Sequence, residues 1–158
     1  MMARLEDWPE LLAAFIAQHR STPFAWGRFD CALFAADAIH VMTGVDLAAD
    51  FRLQYDSALG AQRRIQRVLA TAEGDGRPEN LGGGLEVLTA MICAAHGLAE
   101  IPVGLAQRGD LLLLDTEEHG PALGIVGPDA VHGAFVSLSG LEEIPVTKFL
   151  LFVILLML

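Results

Sequence analysis

Residues 24–34 read F-A-W-G-R-F-D-C-A-L-F, and the rest of the chain is read outward from them. Pro23 fixes its own φ and biases Thr22 away from helix. Gly27 permits a backbone path that other residues resist, and Asp30 is a good helix N-cap. Behind it runs an amphipathic segment, residues 31–43, with Leu33, Phe34, Ala38, Ile39 and Met42 on one broad face and Gly44 closing it as a C-cap. Cys31 therefore falls at the start of a helix, where unpaired N–H groups and the macrodipole favour an anion and so a thiolate. Two readings stay open at this point. Cys31 is an activated nucleophile, or it is a small apolar side chain in the core, as many cysteines are.

Upstream, Trp8, Leu11, Leu12, Phe15 and Ile16 recur at helical spacing and predict a helix over residues 6–20, with Pro9 tolerated in its first turn. His19, in the last turn, is expected on the surface beside the helix dipole. Downstream, residues 44–56 read as a loop anchored by Val45, Leu47, Phe51 and Tyr55. Helical spacing resumes over residues 55–72 and again over 85–96, where Gly97 is the stop. Asp37 and His40 stand i,i+3 on the second helix, and a structural pairing between them is expected. Residues 74–84, G-D-G-R-P-E-N-L-G-G-G, lack the Lys-Ser/Thr pair and the preceding strand of a phosphate cradle and read as a loop.

After Gly97 the period changes. Arg108-Gly109-Asp110 signals a turn, with Asp110 at a strand start, before the short apolar run 111–114. Strands are then predicted over 122–126, 130–138 and 141–146, with a last apolar segment over 147–158. Helices first and consecutive short strands afterwards argue for an α+β domain with an antiparallel sheet.

The chain has 158 residues, which suits one domain, a mainly helical half over 1–97 and a mainly strand half over 98–158. Apolar residues make up 53% and charged residues 19%, a balance that hints at burial against partners. A formal net charge of −10 argues against nucleic acid as a ligand. The nearest basic cluster, Arg63, Arg64 and Arg67, reads as a solvated helix face. Nothing in the spacing of the two cysteines, Cys31 and Cys93, points to a metal or a disulfide framework, and a single bridge between them stays open. Cys93 and His96 stand i,i+3, but two ligands do not make a zinc site, and Cys93 reads as core. No cofactor motif is found. The start, M-M-A-R-L-E-D-W, lacks the apolar region of a signal peptide. The C-terminal run 149–158 is too short to span a bilayer as a helix. It reads as a strand of the sheet or as a surface that docks on another subunit.

With Phe24, Trp26, Gly27, Asp30 and Cys31, the opening stretch resembles the nucleophile motif of the NlpC-type, papain-like cysteine hydrolases, roughly aromatic-x-W-G-(few)-D-C-S-G. The S-G is replaced here by Ala32-Leu33. Arg108-Gly109-Asp110-Leu111-Leu112-Leu113 matches the family's next landmark, a G-D turn before an apolar strand. A closer likeness is to the branch found beside tail-tip genes of prophages and tailed phages, W-G-x-x-D-C-x-L-F-x-A-D followed by A-Q-R-G-D, which residues 26–37 and 106–110 match.

The resemblance implies N-terminal helices packed on a small C-terminal antiparallel sheet, and hydrolysis of a peptide amide of the bacterial cell wall. A cysteine thiolate would attack the carbonyl, a second-strand histidine would carry the proton, and a polar third-strand residue would orient that imidazole. The Cys31 N–H would help hold the oxyanion, and Trp26 and Asp30 would lie at the substrate. It also implies a place in the virion, in the phage tail, after assembly in the bacterial cytoplasm, with other tail-tip proteins as partners through residues 149–158.

The chain departs from the family at the second strand. H-V-G-I there is Ala122-Leu123-Gly124-Ile125 here, so the general-base position is alanine. His132, in A-V-H-G-A, resembles the third-strand histidine, and His119 lies three residues before Ala122. Both are candidates for the base, each against a plainer reading: His119 as a solvated loop residue, His132 as a half-buried strand residue. Three functions follow: a hydrolase using Cys31, a structural tail-tip protein on the same fold, or a thiol acyltransferase or deamidase of the same class.

Overall fold

The computed structural model describes residues 2–71, 84–116, 120–148 and 153–155. Its helices are α1 (Trp8–Gln18), α2 (Cys31–Thr43), α3 (Ala58–Thr71) and α4 (Gly84–Ala95). Its strands are β1 (Ala99–Ile101), β2 (Leu111–Thr116), β3 (Gly120–Val126), β4 (His132–Ser137), β5 (Gly140–Pro145) and β6 (Val153–Leu155). The fold is α+β, with four helices ahead of one antiparallel sheet of order β1-β6-β2-β3-β4-β5.

The chain specifies both ends of helix α2. The Asp30 side chain accepts the Leu33 N–H at 2.9 Å. Gly44 adopts a left-handed φ of 77° and returns its N–H to the His40 carbonyl. Leu33, Phe34, Ala38, Ile39 and Met42 are all buried, as the helical spacing requires. Around Phe34, Ala38, Ile39 and Met42 a principal core forms between α1, α2 and one sheet face, with Leu111 and Leu113 of β2, Leu123 and Ile125 of β3, and Ala134 and Val136 of β4. Each such fully buried large apolar side chain contributes about 1.5–3 kcal/mol.

The alternate residues Leu112, Leu114, Ala122, Val126 and Phe135 are also buried, on the other face of the sheet. Two short 3₁₀ turns, Val103–Leu105 and Val146–Lys148, contribute Val103 and Val146 to that side. Strand β2 is thus an unbroken leucine run because both of its faces are covered.

Several expectations are corrected. Helix α1 is shorter than residues 6–20. His19 is half-buried, its ring stacked on Phe29 and edge-on to Phe15, with Nδ1 at 3.0 Å from the Thr22 hydroxyl. Asp37 pairs with Arg52 at 2.6 Å and not with His40. Arg52 grips Asp46 as well, through Nε and Nη2, both at 2.9 Å. Tyr55 belongs to the loop before α3 and not to the helix. Strand β1 is an addition to the expected strands; it pairs with β6, which itself lies between β1 and β2. Residues 153–155 of the C-terminal run are therefore a strand of the sheet. The expected loop over residues 74–84 lies outside the described residues up to 83, and Gly84 begins α4.

Candidate functional site

The stretch before α2 is a tight reversal. Ala25 and Phe29 exchange backbone hydrogen bonds, at 3.0 and 2.8 Å, across Trp26, Gly27 and Arg28. Gly27 has φ 77°, and a Cβ there would stand 2.0 Å from the Tyr55 carbonyl oxygen. The loop over residues 45–55 lies against this turn, and the Leu53 N–H donates to the Gly27 carbonyl at 2.9 Å. Gly27→Ala combines a left-handed strain with a main-chain collision, so it will destabilise the fold by at least about 2 kcal/mol. Urea denaturation checks this; an unchanged midpoint would show that the two loops are free to separate.

The reversal delivers Asp30 and Cys31. Asp30 is 2% exposed. One carboxylate oxygen accepts the Leu33 N–H, and the other accepts the Gly27 N–H at 3.0 Å and the Tyr55 hydroxyl at 2.6 Å. Asp30, expected at the substrate, is among the residues lining the groove that passes over Cys31, and its two oxygens hold the turn, the helix and the loop together.

Cys31 is half-buried and free. It packs against the cluster formed by Leu112, Leu114, Ala122, Val126 and Phe135. Burial pushes the Cys31 thiol up to about 11. The Leu123 N–H opposes this, the Asp30 charge adds to it, and the N–H groups of Ala32 and Cys31 oppose it. Backbone donors do converge on the sulfur, but the apolar surroundings outweigh them.

An open groove of about 570 Å3 passes over Cys31, walled by Trp26, Tyr55, Gln62, Gln66 and Pro121. Trp26 stands at its edge, held edge-to-face by Phe24 with centroids 4.8 Å apart. Behind the groove, between α2, α3 and α4, lies an apolar cavity of about 80 Å3, to which Cys93 contributes. Tyr55 lines both spaces.

His132 lies elsewhere. Its backbone oxygen accepts the Gly127 N–H at 2.8 Å, so it stands at the far end of β3 from the residues that touch Cys31. At ~3.3 Å per residue, Leu123 to Gly127 is roughly 13 Å along the strand. The imidazole Nδ1 pairs with Asp129 at 2.6 Å. Asp129 is held down at about 2 by the His132 and Val131 N–H groups and that imidazole. The fold does not bring His132 to Cys31. His119 lies outside the described residues, but Gly120 and Pro121, which follow it in the chain, line the groove over Cys31.

Asp110 is a buried strand-start residue, 1% exposed. It accepts the Gln107 N–H at 2.7 Å and pairs with Arg4 at 3.1 Å. Arg4 in turn lies over the Trp8 ring, 4.3 Å from its centroid. Among the described residues no three His, Cys, Asp or Glu side chains are grouped as a metal site requires. Among them no helix is long and apolar enough to cross a membrane.

These features define an α+β domain with a helix-capping aspartate, a cysteine at the helix start and a groove above it. Residues 3–151 match a family described as a domain of unknown function (DUF6950), and the chain belongs to that family. Comparison with curated proteins and with solved structures finds no match.

Proposed function

We propose that the protein is a phage tail-tip component carrying an NlpC-like, papain-like cysteine hydrolase domain that cleaves peptide amides of the bacterial cell wall during entry. The observation that carries this reading is the placement of Cys31, first residue of α2, in an open groove and against the strand that bears the base in the resembling family. The phage context rests on the likeness of residues 26–37 and 106–110 to the tail-tip branch, and a virion location follows from it.

In this reading Cys31 gives its proton to His119 and the thiolate attacks the carbonyl carbon. The Cys31 N–H takes up the oxyanion. The tetrahedral intermediate collapses, the amide C–N bond breaks, and the proton passes from His119 to the leaving amine. Water then hydrolyses the thioester and restores the thiol. Trp26 supplies an apolar wall for the substrate.

The second reading is a catalytically inactive tail-tip protein on the same fold. Ala122 at the base position and the raised Cys31 thiol favour it. Contact with other tail-tip proteins would then involve the run 149–158, of which 153–155 are already paired on both sides within the sheet.

Digestion of cell-wall peptides, with release of new amino groups as the readout, separates the two. The hydrolase reading expects Cys31→Ser and His119→Ala to lose at least about a thousandfold in turnover, and His132→Ala to stay near wild type. Folded wild-type protein that releases nothing between about pH 5 and 9 would leave the structural reading.

A further inference from the structure

We propose that Tyr55 is a positioning residue for the Cys31 thiol and acts through Asp30: its hydroxyl fixes the carboxylate that caps α2 and lines the same groove as Cys31. The inference deepens the assignment of Cys31 as nucleophile and rests on it.

The Tyr55 hydroxyl donates to Asp30 at 2.6 Å, the shortest of the three described hydrogen bonds that this carboxylate receives. Of those three donors, the phenol alone is supplied from outside the stretch 24–34, and it arrives on a loop anchored twice. Arg52 ties that loop to Asp37 of α2 and to Asp46. The Leu53 N–H ties it to Gly27. Tyr55 is thus delivered by main chain fixed to the same helix whose first residue is Cys31. Among the described groove residues the titratable groups are Asp30, Tyr55 and Cys31, with Arg52 near the phenol. Burial and the Asp30 charge both hold the phenol neutral, so it remains a donor across the working pH range.

The chemical consequence has a definite sign. A carboxylate next to a thiol opposes loss of the thiol proton. A short hydrogen bond to that carboxylate draws its charge away from the sulfur and blunts the opposition. Removing the hydroxyl leaves the Asp30 charge facing Cys31 less compensated, and the thiolate becomes harder to form.

The test is the pH profile of Cys31 alkylation by iodoacetamide, followed by mass spectrometry in wild type, Tyr55→Phe, Asp30→Asn and the double variant. Asparagine retains the helix cap. In Tyr55→Phe the midpoint moves up by about half to one pH unit, and one unit below the wild-type midpoint alkylation slows about threefold to tenfold. In the Asp30→Asn background the same tyrosine substitution has no effect, because the group it acts through is gone. A midpoint unmoved by Tyr55→Phe in folded protein overturns the proposal. So does an equal upward shift when Tyr55→Phe is added to Asp30→Asn, because the phenol would then act without the carboxylate. A merely structural tyrosine lowers the melting temperature and leaves the midpoint in place. The readout needs no turnover, so loss of the hydrolase reading and loss of this one are separately visible.

Discussion

Replacing Asp110 with alanine will cost about 3–5 kcal/mol of folding stability, most of the reserve of a domain at the low end, ~5 kcal/mol, of the usual range. The reason is the state in which it leaves Arg4. The guanidinium is almost wholly buried beside Trp8, its Nε has no partner among the described residues, and Asp110 is its ion-pair partner. Without the carboxylate, a buried cation faces apolar surroundings, and the Gln107 N–H loses its acceptor as well. Arginine cannot escape by releasing its proton. The pair joins the start of the chain to the turn before β2, 106 positions away, so the damage reaches both the α1 side and the sheet. Urea denaturation of Asp110→Ala against the double variant Arg4→Met/Asp110→Leu checks the account. The double variant should recover much of the loss, because no buried charge remains and of the two effects only the Gln107 N–H stays without its acceptor. Equal destabilisation in both would mean that the carboxylate acts through the turn alone.

The second large effect is on the Cys31 thiol. In His119→Ala the candidate base is gone while burial and the Asp30 charge still act on the thiol, and it will titrate near 11. A free thiol titrates near about 8.5, so at about pH 8 the folded variant will be alkylated at least about a hundredfold more slowly than the unfolded chain. Its rate will climb about tenfold per pH unit toward about 11. If His119 serves as the base, wild-type protein will instead react at a plateau reached near neutral pH. Superimposable profiles in the two proteins would remove His119 from the mechanism and leave the structural reading. The same raised thiols make stability pH-dependent. Folded Cys31 and the buried Cys93, pushed up to about 12 by burial, keep protons that the unfolded chain releases above about 8.5. The unfolded state then binds fewer protons, so this stabilisation is complete below about pH 8.5 and falls as pH rises toward about 11 and 12.

How much of this can be read from residues alone depends on distance along the chain. Helix α2 is legible from end to end, because Asp30 and Gly44 act on their immediate neighbours. The hairpin strands are legible to within a few residues, because their turns are local and their apolar runs continuous. Strand β1 is not. At three residues, Ala99-Glu100-Ile101 is too short for its alternation to establish a period, and its described partner, β6, lies far down the chain. The Asp37 partner is hidden for the same reason: His40 is near in sequence, whereas Arg52 arrives on a returning loop. At the site, Cys31 and its cap can be found by spacing. Tyr55 cannot, since nothing next to it in sequence announces a hydrogen bond to a residue 25 positions earlier. His132 looks suitable by type. The Asp129 turn fixes the hairpin register, and that register sets it at the wrong end of β3.

The strand order bears on how the chain is made. Because β6 sits between β1 and β2, a ribosome must release the chain through residue 155 before β1 can acquire its described neighbour. The β2-to-β5 meander can zip up earlier, from neighbouring segments. During synthesis the leucine-rich β2 therefore waits with one flank open, and that interval is when the newborn protein is most exposed to sticking to its copies.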